Sequence, residues 1–472
     1  MAAFFSSTAQ PPPRRMKPPD QKLVRSTGNP LAALGVLGTL LALAAAPARA
    51  ADDAPEHEDW TARFQSTYVM QKKPAFAARY SGANSLLTTR EQSYTLTATA
   101  HFGARIWDDG ELYFNPEMTL GQPLSNLTGL GGYYNGEITR AGGSNPTFYR
   151  QRLFLRQTWN LGGEREHIDA DLNRMAGFVD RNRVVLTVGN FSTLDIFDDN
   201  AYAKDPRTQF MNWGNMTYAA YDYAADARGF GWGFAAEWYR ADGWVFRIGR
   251  MTGPREPNML PTDPRIGKHY GDQIEIERAH EIGGQPGKVR VLGWRNRAVT
   301  ASFRDALDYL RANPGGDPQT ILKVRNGEKI KYGIGLNVEQ AIDENLGVFL
   351  RAMKADGRTE TYAFTEVDGS LSLGGALKGV AWGRAQDTVG VAFLRNTLSP
   401  DRRAYLAAGG ISFFIGDGAL NYRPERIAEA YYSLELLKNA TLTLNAQRFV
   451  NPAYNADRGP VNIFGMRLHA EF

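Results

Sequence analysis

From residue 60 onward, apolar and polar positions alternate in short runs. Trp60, Ala62, Phe64, Ser66, Tyr68 and Met70 interleave with Thr61, Arg63, Gln65 and Thr67. Tyr94, Leu96, Ala98, Ala100, Phe102, Ala104 and Ile106 interleave with Thr95, Thr97, Thr99, His101, Gly103 and Arg105. Leu112, Phe114, Met118 and Leu120 oppose Glu111, Tyr113, Asn115 and Glu117, and Leu153, Leu155, Trp159 and Leu161 oppose Arg150, Arg152, Arg156 and Thr158. Similar runs cover 230–238, 330–338, 346–352, 428–436 and 442–446. A period of two sends successive side chains to opposite faces, so these runs predict β-strands, punctuated by Gly, Asn, Asp and Pro. The last run is the most regular. Phe464, Met466, Leu468, Ala470 and Phe472 share one face; Ile463, Gly465, Arg467, His469 and Glu471 share the other.

The runs separate one apolar wall from one polar wall. After residue 50 no apolar stretch is long enough for a membrane-spanning helix. Strands can cross lipid only as a closed barrel, because an open sheet edge leaves backbone groups unpaired there. The sequence therefore predicts an all-β fold: a closed antiparallel transmembrane β-barrel formed by residues 51–472 as a single domain. Many runs have the 9–12 residues that a tilted barrel strand needs, and the length suits about 16 strands, with 18 as the alternative. Three stretches break the pattern. Residues 72–92 are too polar for lipid. Residues 190–217 are dense in aromatics and charges. Residues 302–312 place Phe303, Ala306, Leu307 and Leu310 at helical spacing, with Pro314 beyond them.

Residues 1–50 read as a cleaved signal peptide. Arg14, Arg15, Lys17, Lys22 and Arg25 precede an apolar run from Leu31 to Ala46, and Ala48-Arg49-Ala50 is a small-x-small cleavage pattern. The basic region is long, and Met16 is an alternative start. This leader also reshapes the charge. It holds six of the 54 Lys and Arg but only one of the 50 Asp and Glu, leaving 48 against 49. The pI near 9.0 is thus a property of the leader and gives no argument for a nucleic-acid partner. With 0 Cys there are no disulfides and no thiolate metal sites.

Little in the sequence points to catalysis. The six His lack a His-Glu-x-x-His spacing, and neither Gly-x-Ser-x-Gly nor a phosphate-binding Gly loop occurs. No metal, cofactor or enzymatic activity is expected. His101 is predicted on the lumen face as a solvated side chain. Tyr133, Tyr134, Trp159, Trp232, Trp238 and Trp244 are predicted as girdle or lipid-face aromatics. Arg150, Arg152 and Arg156 are predicted to share the lumen wall, since Arg at the bilayer midplane costs about 2–4 kcal/mol. Three like charges need carboxylates; Gln273, Glu275 and Glu277 on one strand, with Glu111 and Glu117 on another, are the candidate counterparts.

A terminal alternating strand ending in Phe resembles the closing strand of a bacterial outer-membrane barrel. Further segments resemble the carbohydrate-selective porins of Gram-negative outer membranes: Gln71-Lys72-Lys73-Pro74-Ala75-Phe76, Tyr80 to Leu86, Glu91 to Leu96, Gly129 to Gly132 with Asn135-Gly136-Glu137, Phe197 to Tyr202, Asp205 to Trp213, Gly416-Asp417-Gly418, Asn451 to Asn455 and Asp457 to Pro460. These lie in order along 60–472. The resemblance implies a 16-stranded barrel passing sugars by facilitated diffusion. It also implies that the stretch Asp195–Trp213 folds into the lumen. There Asp198, Asp199, Asn200, Lys204, Asp205, Arg207, Asn212 and Trp213 would offer hydrogen bonds and stacking to a sugar. Asp195, Asp198 and Asp199 lack the ligand spacing of a calcium loop. A general or anion-selective porin built on the Arg ladder is the alternative function. The expected partners are carbohydrate, outer-membrane lipid and the barrel-assembly machinery, with Phe472 as the assembly signal. A monomer is expected rather than a trimer.

Overall fold

The computed structural model describes residues 56–138 and 143–472; the leader predicted over residues 1–50 lies outside them. Eighteen strands follow in chain order: β1 (Trp60–Lys73), β2 (Glu91–Trp107), β3 (Gly110–Gln122), β4 (Thr147–Asn160), β5 (Arg165–Ile168), β6 (Gly177–Asp180), β7 (Arg183–Phe191), β8 (Gly231–Tyr239), β9 (Trp244–Met251), β10 (Tyr270–Ile282), β11 (Gln285–Val299), β12 (Glu328–Ala341), β13 (Leu346–Ala355), β14 (Gly369–Gly379), β15 (Arg384–Thr397), β16 (Glu425–Leu437), β17 (Ala440–Val450) and β18 (Val461–Glu471). Sixteen of them form one closed antiparallel barrel; β5 and β6 pair only with each other. The barrel closes where β1 meets β18, in a register that sets Ser66 opposite Ala470 and Met70 opposite Met466.

The alternation read from the sequence is the alternation of the wall. Ile274, Ile276, Ile334, Phe393, Leu444 and Phe464 are exposed on the outside. Gln273, Glu275, Glu277, Asn337, Arg351, Glu429 and Arg467, on the inner parity of the same strands or their neighbours, are buried. Trp159, Trp232, Trp238 and Trp244 are exposed, as expected of lipid-face aromatics. Turns such as Gly283-Gly284 join strands at one end, and long loops join them at the other. In outer-membrane barrels the short turns are periplasmic and the long loops extracellular.

One strand breaks the expected register. Between β3 and β4, Asn115 pairs with Arg152, but the next residue, Pro116, pairs with Arg150. Gln151 is therefore an extra residue in a β-bulge. Pro116 has no N–H to continue the ladder, and proline inside a sheet is confined to edges and bulges. The bulge sends Gln151 and Arg152 inward together and turns Arg150 outward. Arg150 is exposed and its guanidinium lies 4.8 Å from the ring of Trp232 on the outer wall. The expectation that Arg150 shares a lumen wall with Arg152 and Arg156 is corrected by this geometry.

The loops fill much of the barrel. Residues 192–230, between β7 and β8, fold into the lumen and carry the short helix α1 (Trp213–Met216). Helices α2 (Phe303–Ala312), α3 (Thr320–Lys323) and α4 (Pro400–Ala407) cover the long-loop end. Helix α2 buries Phe303, Ala306 and Leu307, the stripe predicted from spacing, and is capped by Ser302. Tyr133 and Tyr134 are not lipid-facing. They are buried inside the loop after β3, where Tyr133 packs edge-on against Trp213 and Phe414. At the short-turn end the β5–β6 hairpin turns inward. Asn173 at its tip accepts from Asn115 Nδ2 at 2.8 Å, and its carbonyl accepts from Arg156 at 2.9 Å.

Candidate functional site

The infolded loop is pinned by charge. Arg207 bridges Glu117 on β3 and Glu137, each at 2.9 Å. Asp198 receives Arg351 of β13 at 2.8 Å and Asn337 of β12 at 2.6 Å. Asp199 takes Lys204 at 2.6 Å and lies 3.7 Å from Arg290 of β11. Met211 and Asn215 donate to the buried carboxylate of Glu429 on β16, each at 2.7 Å. A charge removed from water must be paired or hydrogen-bonded, so the wall acids Glu117 and Glu429, and the wall cations Arg351 and Arg290, each fix one part of the loop. An aromatic cluster fills the centre of the loop. Trp213 stacks on Phe364 at 4.8 Å beside Tyr223, Tyr221 and Tyr218, which are all buried.

This packing closes one side of the lumen and leaves a cavity of about 750 Å³ along the other, between the infolded loop and the wall of β2, β3, β4, β7, β8 and β9. Its cations include Arg152, Arg156, Arg207 and Arg228; its acids include Asp195, Asp199, Asp205 and Glu237. Tyr149, Phe230 and Tyr239 line it as well. Arg152 donates two bonds to Asp195, at 2.7 and 2.8 Å, while its guanidinium lies 5.1 Å from the Phe230 ring. Arg228 lies 4.3 Å from the Tyr149 ring, and its buried Nε has no partner among the described residues. Arg156 reaches Glu111 at 3.6 Å.

Asp195, Asp199 and Arg207 are held ionised. Lys204 beside Asp199 keeps that carboxyl well below the usual carboxylate range. Burial works against ionisation of Asp195, but the bonded Arg152 outweighs it and leaves the carboxyl low. Burial likewise works against the Arg207 cation, and Glu137 and Glu117 more than offset it. The cavity is thus lined by fixed charges of both signs together with aromatic faces.

Of the residues singled out from the sequence, Arg152, Arg156, Glu117, Asp198, Asp199, Lys204, Asp205, Arg207 and Trp213 border the cavity. Asp198 and Trp213 do so as nearly buried side chains, at 2 % and 5 % exposure. Trp213 is therefore part of the loop's core rather than an open platform. Asn200 and Asn212 are buried against the wall, bonded to Asn337 and Gln447. Glu275 and Glu277 face inward but are sealed beneath the loop. Their cations are Arg247, at 3.0 and 2.9 Å, and for Glu277 also Arg290 at 2.7 Å, not the arginines of β4. Glu117 serves Arg207, not the β4 arginines. His101 is not solvated; it is buried among Gln65, Asn115 and Asn173. The three acids weighed for calcium are taken by Arg152, Arg351 and Lys204. Glu137, Tyr149, Arg228, Phe230, Tyr239 and the β5–β6 hairpin were missed. Arg228 lies beyond the stretch 190–217 and Phe230 opens the run 230–238, and only the fold brings both beside β4.

Comparisons with known proteins bear on the fold and the family. The family model for "Carbohydrate-selective porin, OprB family" matches residues 89–472. No curated protein matches the chain. Among solved structures, the high-pH structure of Pseudomonas putida OprB is 15% identical with a TM-score of 0.65, covering 89% of this chain and 96% of that one. Pseudomonas aeruginosa OccK2 is 9% identical with a TM-score of 0.44, covering 88% and 98%. Acinetobacter baumannii OccAB1 is 10% identical with a TM-score of 0.45, covering 88% and 96%. The family and the fold indicate a channel rather than an enzyme, and they do not favour a general or anion-selective pore. The chain belongs to the carbohydrate-selective porin, OprB family: it is a sugar porin of the Gram-negative outer membrane.

Proposed function

We propose that sugars cross this barrel along the track between the infolded loop and β4. Arg152 and Phe230 form its selective point, with Arg156, Arg207, Arg228, Asp195, Asp199 and Asp205 as the surrounding hydrogen-bonding groups. The observation that carries this reading is the Arg152 guanidinium, bonded to Asp195 and set 5.1 Å from the Phe230 ring at the cavity wall. A pyranose presents hydroxyls at its rim and an apolar ring face, and a charged donor beside an aromatic face matches both. The ion pair keeps Arg152 from holding a free anion tightly, so transit stays fast. Passage is passive, and no residue is assigned a catalytic role.

Two further roles belong to this reading. One chain supplies a complete lining for the track, so a single protomer suffices for passage, and a working monomer is part of the proposal. Phe472 lies at the seam, where its backbone exchanges hydrogen bonds of 2.9 and 2.8 Å with Phe64. That position, at the barrel seam and not among the residues that line the cavity, supports a role in recognition by the barrel-assembly machinery. The test of the track is osmotic swelling of phosphatidylcholine liposomes carrying the protein. Phe230→Ala is expected to slow glucose entry relative to a non-sugar polyol of equal size; an unchanged ratio overturns the assignment of Phe230.

A further inference from the structure

Charge is partnered differently on the two sides of the outer wall. Near the long-loop end of β9 to β12, outward cations have acids beside them. Arg250 meets Asp272 at 2.6 Å, Arg295 meets the same Asp272 at 2.9 Å, and Arg297 meets Glu328. Around β13 to β17 at the same end, Lys354, Arg395, Arg426 and Arg448 are all exposed on the outward parity. Among the described residues none of the four makes an ion pair; Arg448 only donates to Asn462 at 3.2 Å.

The register makes this more than a count of charges. Arg395 of β15 lies directly opposite Arg426 of β16. Arg448 of β17 is opposite Ala428, two residues along from Arg426. Like charges facing each other across an antiparallel pair destabilise the sheet. Three guanidinium groups gathered this way, without a carboxylate, call for an anion from outside the chain. A cleft of about 420 Å³ opens beside them, lined by Lys354, Arg395, Leu371 and Arg403 of α4. Its acids are Asp356 and Asp368. Burial raises the Asp356 carboxyl, which favours its neutral form, and Asp368 is taken by Arg402 at 3.0 Å. Just toward mid-wall from Arg395 and Leu371 the outer face turns apolar, with Leu373, Val391 and Phe393 exposed. The layout is a cationic rim above an acyl-chain surface, at the end that faces the outer leaflet.

We infer that this rim is a binding site for a phosphorylated glycolipid of the outer leaflet. Arg395, Arg426 and Arg448 take the phosphate, Lys354 and Arg403 close the cleft around the sugar headgroup, and Leu371, Leu373 and Phe393 receive acyl chains. Guanidinium groups suit the task, since their planar fork matches phosphate oxygens in pairs.

The test uses the folded full chain in dodecyl maltoside with diphosphoryl hexa-acyl lipid A as probe, read as bound fraction by native mass spectrometry. The wild type is expected to retain the lipid. The double variant R395Q/R426Q should lose roughly tenfold or more in affinity. R395K/R426K should keep most of the binding, and R295Q on the acid-paired side should keep all of it. The lipid with both phosphates removed should bind no better to wild type than the intact lipid binds to the double variant. Equal retention by R395Q/R426Q would overturn the site. So would equal retention of phosphatidylglycerol, which would mean that any anionic headgroup suffices. Complete displacement by millimolar inorganic phosphate would make it a free-phosphate site and would also overturn the proposal. Heat-modifiable gel mobility establishes that each variant is a closed barrel before it is scored.

Discussion

Arg207, on the infolded loop, donates to Glu117 on β3 at 2.9 Å, and both side chains are shielded from solvent inside the barrel. Glu117 also accepts from Gln151, the residue added by the β-bulge. The constriction and the irregularity of the wall are therefore joined at one carboxylate. The loop does not rest in the lumen through shape alone. It is fastened at ion pairs whose partners are spread around the barrel.

Arg207→Ala removes one fastening and leaves Glu117 and Glu137 without their cation. Breaking one side of a buried pair costs about 3–5 kcal/mol, because the remaining charge stays buried. The variant should unfold at lower denaturant and show a larger open-channel conductance as the loop loosens. Denaturant titration with single-channel recording checks both. Wild-type stability together with wild-type conductance would remove Arg207 from the tether.

Arg152→Ala and Arg150→Ala differ by two positions and should behave differently. Arg152→Ala removes a cation from the cavity wall and frees Asp195, so the reversal potential in a salt gradient should move toward cation preference and sugar block should weaken. Arg150→Ala removes only an outward side chain stacked on Trp232. It should leave conductance, selectivity and block unchanged and alter stability within about 0.5 kcal/mol. A channel phenotype for Arg150→Ala of the size seen for Arg152→Ala would contradict the bulge register.

Deleting Phe472 tests the seam. Its ring stacks on Phe64 with centroids 6.5 Å apart, outside the cavity. The truncated chain should reach the outer membrane in reduced amount, read as surface-exposed protein per total protein. The channels that do form should keep wild-type conductance. Normal insertion would remove Phe472 from assembly, and altered conductance would place it in the pore.

The barrel was legible in the sequence because a period of two reports directly on which face each side chain occupies. That signal needs no knowledge of partners, and it placed β1, β2, β17 and β18 with their faces correct. It failed at Arg150 because one inserted residue reverses every face before it; Pro116, in the neighbouring strand, was the available sign. It also failed where partners come from distant strands. Alternation puts Glu275 and Glu277 inside but does not say that Arg247 and Arg290, rather than β4, neutralise them. Trp213 was ambiguous for another reason. An aromatic side chain suits a sugar platform and a loop core equally well, and only its burial against Phe364 and Tyr223 decides. The β5–β6 hairpin, with four-residue strands, is too short to leave a periodic trace.

The central claim is that this one chain forms a channel whose track recognises sugar. Purified protein in a planar bilayer should open a steady conductance that glucose or a related sugar blocks in a saturable way, with weaker block after Arg152→Ala. A conducting channel whose current no sugar reduces, or a folded barrel that carries no current, would contradict the account.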